Sequence, residues 1–157
     1  MEKSLIISYN EYESIEDLPV EDRMVMQHAL GATETAYSPY SHFRVGAAVL
    51  LDDGTIVEGS NQENLAYPSG LCAERTAMYA ASVRRPEGVM EALAIVGRDQ
   101  EGRLTEAAPC GACRQVMAEY ERRQGRKMRI LTYLDGGKIR CFEGVDCLLP
   151  FGFEAGL

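Results

Sequence analysis

The sequence has no excess of positive charge and no long hydrophobic run. Its 157 residues contain 16 Lys and Arg against 24 Asp and Glu, which gives a formal net charge of -8. Because proteins that track a phosphate backbone need clustered Lys and Arg, this balance argues against nucleic acid as a partner. No apolar segment reaches the length of a signal peptide or of a helix that crosses a bilayer. We therefore expect a cytoplasmic protein with no nucleic-acid partner and no membrane partner.

The chain also lacks an internal repeat, a low-complexity linker and an even number of cysteines. A length of 157 residues fits one domain that can bury a core without disulfides. The five cysteines include a closely spaced pair, Cys110 and Cys113. In a reducing compartment such a pair indicates metal binding or redox chemistry before a disulfide framework.

Hydrophobic periodicity and turn residues predict three helices and five strands. Helical spacing of apolar residues from Val20 predicts a first helix that ends before Pro39. Asp52-Asp53-Gly54 predicts a hairpin turn. The predicted helices span residues 20–37, 72–83 and 110–122, and the predicted strands span 43–51, 55–59, 92–97, 128–134 and 138–142. This order predicts an α/β fold, a three-layer α-β-α sandwich with a mixed five-stranded sheet.

Three cysteines and one glutamate form the motif that carries chemistry. Cys72-x-Glu74 is followed far downstream by Cys110-x-x-Cys113. A structural zinc site has four protein ligands, whereas three leave a position open for water. Both cysteine segments open predicted helices, whose N-termini favour thiolates. The pattern predicts a catalytic Zn²⁺ site with Cys72, Cys110 and Cys113 as ligands, where Glu74 handles the protons of the water.

Other interpretations of the cysteines and histidines are weaker. The C-x-x-C pair alone fits a redox pair or half of a structural zinc site as well as it fits catalysis. Cys141 and Cys147 could complete a four-cysteine site, but their spacing is unlike that of a chelating pair, so we expect ordinary buried cysteines. His28 and His42 have no neighbour typical of a metal ligand, and we expect surface or capping roles.

Two further residues are candidates to hydrogen-bond the cysteine sulfurs. Three thiolates on one Zn²⁺ leave a net local charge of about -1, which weakens the metal's effect on the pKa of a water. Arg75 is the candidate cation that withdraws this charge, and Gln115, just past Cys113, is a candidate neutral donor. The alternatives are a solvent-exposed helix charge for Arg75 and an ordinary polar helix position for Gln115.

Several motifs in order and spacing resemble one known family. These segments are residues 43–48, Asn61-Gln62-Glu63-Asn64, residues 72–77, residues 109–116 and Leu148-Leu149-Pro150. The resemblance covers roughly Met24 to Phe153 and is to the small, homotetrameric, zinc-dependent cytidine deaminases. It implies a leader of unknown role, residues 1–23, before a catalytic domain, residues 24–157.

The resemblance implies an enzyme that hydrolyses the C–N bond of a cyclic amidine. Cytidine and deoxycytidine would be converted to uridine and deoxyuridine in pyrimidine salvage, with one Zn²⁺ per subunit. Glu74 would take a proton from the attacking water and return protons to the base and to the leaving amine. Asn61 and Glu63 would hold the ribose 3′-hydroxyl, and Phe43 and Ala73 would contact substrate.

The same resemblance implies an active site shared between subunits of a homotetramer. Phe153 matches an aromatic that reaches the base from a neighbouring subunit, although Phe151 is a second candidate two residues earlier. Tyr67 is expected near that interface. Phe43 and Phe153 could instead serve in plain core or tail packing.

Two other functions remain compatible with the cysteine motif. One is a deaminase of a cytosine-nucleoside antibiotic of the blasticidin type, although residues 43–48 and the Asn61 motif favour cytidine. The other is a non-catalytic, zinc-stabilised binding module, in which a fourth cysteine would close the metal site and Glu74 would be replaceable. Polynucleotide deaminases usually have His where this chain has Cys72, and they need a basic channel.

Overall fold

The computed structural model describes residues 1–153 and places one mixed sheet between two layers of helices. The helices are α1 (Val20–Ala32), α2 (Ala73–Arg84) and α3 (Gly111–Gln124). The strands are β1 (Asn10–Tyr12), β2 (Arg44–Leu51), β3 (Ile56–Ser60), β4 (Met90–Arg98), β5 (Leu104–Thr105), β6 (Arg129–Tyr133) and β7 (Ile139–Phe142). None of the helices in this part of the chain has the length and apolar character needed to cross a membrane.

The strand directions place the starts of two helices at one edge of the sheet. The strand order is β1-β7-β6-β4-β2-β3, and β5 pairs with β4. β3 and β4 are both antiparallel to β2, so β3 and β4 run in the same direction. Among the described strands, the only parallel pair is β4 with β6. α2 follows β3, and α3 follows β4 after the two-residue β5. Both helices begin beyond the carboxyl ends of β3 and β4, where open α/β sheets bind ligands.

Alternating side chains of β2 divide the core between the two faces of the sheet. Ala47, Val49 and Leu51 pack in the cluster that includes α2 and α3. Ala48 and Leu50 pack in the cluster that includes α1. The predicted three-layer α-β-α sandwich with a mixed sheet is therefore confirmed, and the Asp52-Asp53-Gly54 turn joins β2 to β3 with Gly54 at φ 84°.

Within residues 1–153 the sheet has seven strands, so the expected count of five was too low. β1 and β5 contain three and two residues, which is too short for an alternating pattern to be recognised in the sequence. Each exists because it pairs with a longer neighbour, β1 with β7 and β5 with β4.

α1 ends five residues earlier than the predicted helix. Its buried stripe includes Val25, Met26 and Ala29, whereas Val20 and Met24 are exposed. The hydroxyl groups of Thr33 and Thr35 donate to main-chain carbonyls three residues back, and the segment Thr33–Thr35 forms a tighter turn than an α-helix. Such local side-chain bonds compete with helix continuation.

Gly59 of β3 allows α2 to pack directly on the sheet. A Cβ atom at this position would clash with the main-chain nitrogen of Ala77 and lie 2.7 Å from the main-chain oxygen of Ala73. We predict that Gly59→Ala lowers the free energy of unfolding by about 3 kcal/mol, because helix backbone cannot yield as a side chain can. Denaturant unfolding measures this effect.

Gly31→Ala is the matched control for this substitution. Gly31 is an exposed residue of α1 with no atom within 4 Å of an added Cβ. Because alanine favours helix, we expect Gly31→Ala to raise the free energy of unfolding by about 0.5–1 kcal/mol. Equal effects of the two substitutions would show that the close approach of α2 to β3 is not required.

Candidate active site

Two helix N-termini bring the three cysteines together. Cys72 and Cys110 are the N-cap residues of α2 and α3, both in extended conformation, and Cys113 lies in the first turn of α3. The Sγ atom of Cys110 lies 3.7 Å from that of Cys72 and 3.5 Å from that of Cys113. All three sulfurs lie within 4.8 Å of one another. The predicted starts of both helices at cysteines are confirmed.

The cysteine cluster has the chemistry of a zinc site. Three convergent sulfurs suit Zn²⁺, which prefers thiolate ligands in tetrahedral arrangement. A hydrogen bond with Cys113, helped by another from Arg75, lowers the pKa of Cys72 to about 5 despite partial burial. The bond with Cys72, together with burial, raises the pKa of Cys113. The surroundings thus hold at least one sulfur as thiolate, the form that binds metal.

Arg75 lies where a positive group can act on the cluster. Its Nη2 donates to the Sγ of Cys72 at 3.3 Å. This bond raises the pKa of the guanidinium, which therefore stays charged. A permanent cation bonded to a thiolate withdraws charge from the sulfur.

Glu74 is a buried carboxyl in the first turn of α2. Only 4% of its surface is exposed. Burial, and then the neighbouring Cys72, raise the pKa of Glu74 to about 7. A carboxyl with such a pKa can accept and donate a proton at neutral pH, which is the property required of a general acid and base.

A cavity of about 380 Å³ opens beside Cys72 and Arg75. This volume is within the range of about 300–1,000 Å³ common for small-molecule sites. Polar groups and two tyrosines form its walls. Its lining residues are Tyr40, Asn61, Gln62, Glu63, Asn64, Tyr67, Gly70, Leu71, Cys72 and Arg75.

Asn61 and Glu63 line this cavity and also hold the chain that leads into β2. Val45 N–H donates to Asn61 Oδ1 at 2.7 Å, and Asn61 Nδ2 donates to the carbonyl of Phe43 at 2.9 Å. Glu63 Oε1 accepts from the N–H groups of Tyr40 and Ser41, both at 3.1 Å. Desolvation raises the pKa of Glu63, but the bonds from Ser41 and Tyr40 outweigh it and lower the pKa overall.

Two other residues predicted to contact the substrate, Phe43 and Ala73, lie close to the core. Phe43 immediately precedes β2, is half-buried, and packs over Gly97 of β4, where an added Cβ would lie 2.7 Å from its ring. Ala73 is fully buried at the start of α2. The first N–H groups of a helix have no partner within the helix, so Ala73 can meet a ligand only through its main chain.

The aromatic residues of the tail lie on the surface near the start of α3. Phe151 and Phe153 are 96% and 80% exposed. Gln115 donates through Nε2 to the carbonyl of Phe153 at 3.2 Å, so it connects α3 to the tail.

Residues 19–125 match the model of the family described as cytidine and deoxycytidylate deaminase zinc-binding region. The chain belongs to this family. The match covers the cysteine cluster and Glu74. The predictions of the family and of Zn²⁺ as its metal are therefore confirmed, with Cys72, Cys110 and Cys113 as the cluster that holds the ion.

Individual relatives are similar over most of their length. The chain is 45% identical to a cytidine deaminase of Halalkalibacterium halodurans over 97 residues, which are 62% of this chain and 70% of the relative. It is 54% identical to a cytidine deaminase of Sporosarcina psychrophila over 91 residues, 57% of this chain and 62% of the relative. A crystal structure of cytidine deaminase from Burkholderia pseudomallei superposes with a TM-score of 0.71 at 37% identity, covering 83% of this chain and 97% of that one.

The histidines and the two remaining cysteines lie outside the zinc cluster of this family member. His28 contacts Glu58 at 2.6 Å on the surface, and His42 lies in a surface loop at φ 56°. Cys141 is buried in β7, where burial raises its pKa to about 12. Cys147 is half-exposed, so the expectation that it is buried was wrong, because it lies in a short turn after β7.

The sequence interpretation missed the contribution of Arg114. Its Nε donates to the carbonyl of Pro109 at 2.9 Å, and its Nη1 donates to the carbonyl of Leu148 at 2.8 Å. Arg114 therefore fixes the residue before Cys110 against the C-terminal segment. The only signal in the sequence was an arginine directly after the second cysteine of the pair.

Proposed function

We propose that this chain catalyses the hydrolytic deamination of cytidine and deoxycytidine to uridine and deoxyuridine, with release of ammonia, in pyrimidine salvage. The observation that carries the proposal is the buried carboxyl of Glu74 beside a cluster of three convergent sulfurs, of which that of Cys72 lines the cavity that Asn61 and Glu63 also line. Membership of the family supports the same activity.

Glu74 is the residue that moves protons in this proposal. Cys72, Cys110 and Cys113 would hold Zn²⁺, which would act as a Lewis acid and make a water molecule nucleophilic at neutral pH. Glu74 accepts one proton as that water attacks C4 of the base and donates this proton to N3. Glu74 then takes the second proton of the water from the hydroxyl now on C4 and delivers it to the amine, so that the C4–N bond breaks, ammonia leaves and C4 becomes a carbonyl. Its burial next to the cysteines suits this role because a desolvated carboxyl exchanges protons readily near neutral pH.

Arg75 and Gln115 are proposed to support the cluster in different ways. Arg75 bonds the sulfur of Cys72 and offsets its negative charge. Gln115, proposed from the sequence as a donor near the sulfurs, has its amide on the tail carbonyl of Phe153. We assign Gln115 a part in keeping the tail beside the start of α3.

We propose that Asn61 and Glu63 bind the sugar and that Phe43 and Phe153 contact the base. Ala73 is proposed as a further residue that contacts the substrate. Within residues 1–153, both N–H bonds to Glu63 use Oε1, so Oε2 can accept from a ribose hydroxyl. Asn61 retains one amide hydrogen after its bond to Phe43. The fixed main chain around Phe43 gives the base a rigid wall.

Glu63→Gln is expected to lower kcat/KM for cytidine about tenfold, since the neutral amide is a weaker acceptor for the sugar hydroxyl. For the free base cytosine, which has no sugar, Glu63→Gln should leave kcat/KM unchanged. Steady-state kinetics with both substrates measures the difference.

The matched control is Glu58→Gln on β3, the strand that precedes Glu63. Glu58 is exposed and pairs with His28, away from the cavity. We expect the kcat/KM of Glu58→Gln for cytidine to stay within about twofold of the parent value. Equal losses of kcat/KM in Glu63→Gln and Glu58→Gln would show that Glu63 does not bind the sugar.

We further propose that the active chain is a homotetramer whose subunits share active sites. Apolar side chains are exposed beside the cavity, among them Leu65 at 78% and Tyr67 at 76%, and Tyr40 packs edge-on against Tyr67 with ring centroids 6.2 Å apart. Exposed apolar groups clustered near a binding site are typical of interfaces. In such an assembly Phe153 would reach the base bound to a neighbouring subunit.

Two broader assignments accompany this function. The chain is proposed to consist of a leader, residues 1–23, and a catalytic domain, residues 24–157. The family match begins at residue 19 and α1 begins at Val20, so both start a few residues before this proposed boundary. The last four residues of that range lie outside the described part of the chain. A cytoplasmic location is also proposed, because a reducing compartment keeps the cluster cysteines available for metal.

The experiment that tests the function is release of uridine and ammonia from cytidine by purified, zinc-loaded protein. Deoxycytidine and a cytosine-nucleoside antibiotic of the blasticidin type are assayed in parallel. Turnover of both natural nucleosides supports the proposal. Turnover of the antibiotic alone would assign the activity to antibiotic inactivation, and no turnover of any substrate would indicate a zinc-stabilised binding module.

A further inference from the structure

The first 18 residues lie outside the family match, yet they are attached to the sheet. β1 pairs antiparallel with β7, with Asn10 opposite Cys141 and Tyr12 opposite Ile139. Lys138 contacts Glu11 at 3.5 Å and Glu13 at 2.9 Å, which adds ion pairs along the same edge. This segment therefore has a fixed course along β7.

Residues before β1 continue from this edge towards the C-terminal segment. The ring of Tyr9 packs on that of Phe142 with centroids 5.6 Å apart, and the guanidinium of Arg140 lies 4.9 Å from the centre of the Tyr9 ring. The carbonyl of Ser8 accepts from the Sγ of Cys147 at 3.8 Å. Residues 5–8 then form one wall of a groove whose other wall includes Pro150 and Phe151.

The C-terminal segment is in turn bonded to the helix that holds two of the zinc ligands. Arg114 of α3 donates to the carbonyl of Leu148, and Gln115 donates to the carbonyl of Phe153. Residues 148–153 thus lie between the N-terminal segment on one side and the start of α3 on the other. Movement of the N-terminal segment would release the side of the tail that α3 does not hold.

We propose that residues 5–9 act as a brace that holds the tail, residues 150–153, in the position required for nucleoside binding. The brace is a positioning element: it lines one groove with Pro150 and Phe151, and the tail carries Phe153, which is assigned to the base. The inference rests on the proposed function for its effect on substrate affinity. Its structural part, that residues 5–9 hold the tail, rests on the shared groove and on the contacts of Tyr9 with Phe142 and of Ser8 with Cys147.

The test compares one charge at two adjacent positions of the full-length, zinc-loaded protein. Ile7 is 43% exposed and Ile6 is 87% exposed. Ile7→Asp places a carboxylate at the less exposed of these two positions, Ile6→Asp places the same charge at the more exposed one, and Ile7→Val keeps an apolar side chain at the first. Hydrogen–deuterium exchange of peptides within residues 146–153 reports on the tail, and steady-state kinetics reports on the site.

Ile7→Asp should accelerate exchange of the tail peptides and raise KM for cytidine about three- to tenfold with kcat within about twofold, because ground-state binding is affected and the chemical step is not. Ile6→Asp and Ile7→Val should resemble the parent in both measurements. A change in the thermal midpoint is not expected for any of the three variants.

Unchanged exchange of the tail in Ile7→Asp would overturn the brace. Faster exchange of the tail in Ile7→Asp with an unchanged KM would overturn the role of the brace in substrate binding. Equal changes of KM in Ile6→Asp and Ile7→Asp would overturn that role as well. If the parent protein does not deaminate cytidine, the proposed function fails, and the exchange comparison alone then decides whether residues 5–9 hold the tail.

Discussion

Glu74→Gln is expected to lower kcat for cytidine deamination by about 10²- to 10⁴-fold, the usual contribution of a general acid and base. Glutamine has nearly the same shape as glutamate, so the packing at the start of α2 should survive. Glutamine cannot accept or deliver the two protons that the reaction moves from water to N3 and to the leaving amine. Uridine formation measures kcat, and zinc content and the thermal midpoint are measured on the same preparations.

Zinc content decides how a loss of activity in Glu74→Gln is interpreted. Three cysteine sulfurs converge without Glu74, so the variant should retain as much zinc as the parent. The control is Glu119→Gln, an exposed position of α3 paired with Arg122, for which kcat should be unchanged. A Glu74→Gln variant that keeps zinc and turns over within tenfold of the parent would show that another group moves the proton.

The cysteine cluster was predictable because local signals and chemistry agree at that place. Pro109 and the segment before Cys72 interrupt the chain, and the cysteines that follow become N-caps of α2 and α3. A thiolate is stabilised at a helix N-terminus, so the same residues that start the helices can hold a cation. Residue types and spacing alone were sufficient to predict that two such ends would share one ion.

The less predictable features depend on contacts between distant segments. β1 has three residues and forms because β7 offers an unpaired edge, which no local pattern in residues 10–12 indicates. The amide of Asn61 could be assigned to a sugar from its motif, but its bonds to Phe43 and Val45 depend on how β2 and β3 meet. The bond between Gln115 and Phe153 likewise joins residues 38 apart.

Cys113→Ala is predicted to abolish zinc binding together with activity. Cys113 is fully buried at the first turn of α3, and its sulfur lies 3.5 Å from that of Cys110. Two remaining thiolates make a much weaker site for Zn²⁺, which is found with at least three protein ligands in catalytic sites. Loss of the metal removes several kcal/mol of transition-state stabilisation, which corresponds to a fall in kcat of about 10³-fold or more.

The response to a chelator separates loss of metal from damage to the fold. A ligand that binds only the folded state stabilises it, so removing zinc from the parent should lower its thermal midpoint. The thermal midpoint of Cys113→Ala should lie near that of the zinc-free parent, and a chelator should not lower it further. Cys147→Ala, at a half-exposed cysteine outside the cluster, should keep the zinc content, the kcat and the chelator response of the parent. If Cys113→Ala bound zinc as the parent does, a ligand outside the three cysteines would have to complete the site, and the zinc centre assigned to these helix ends would be wrong.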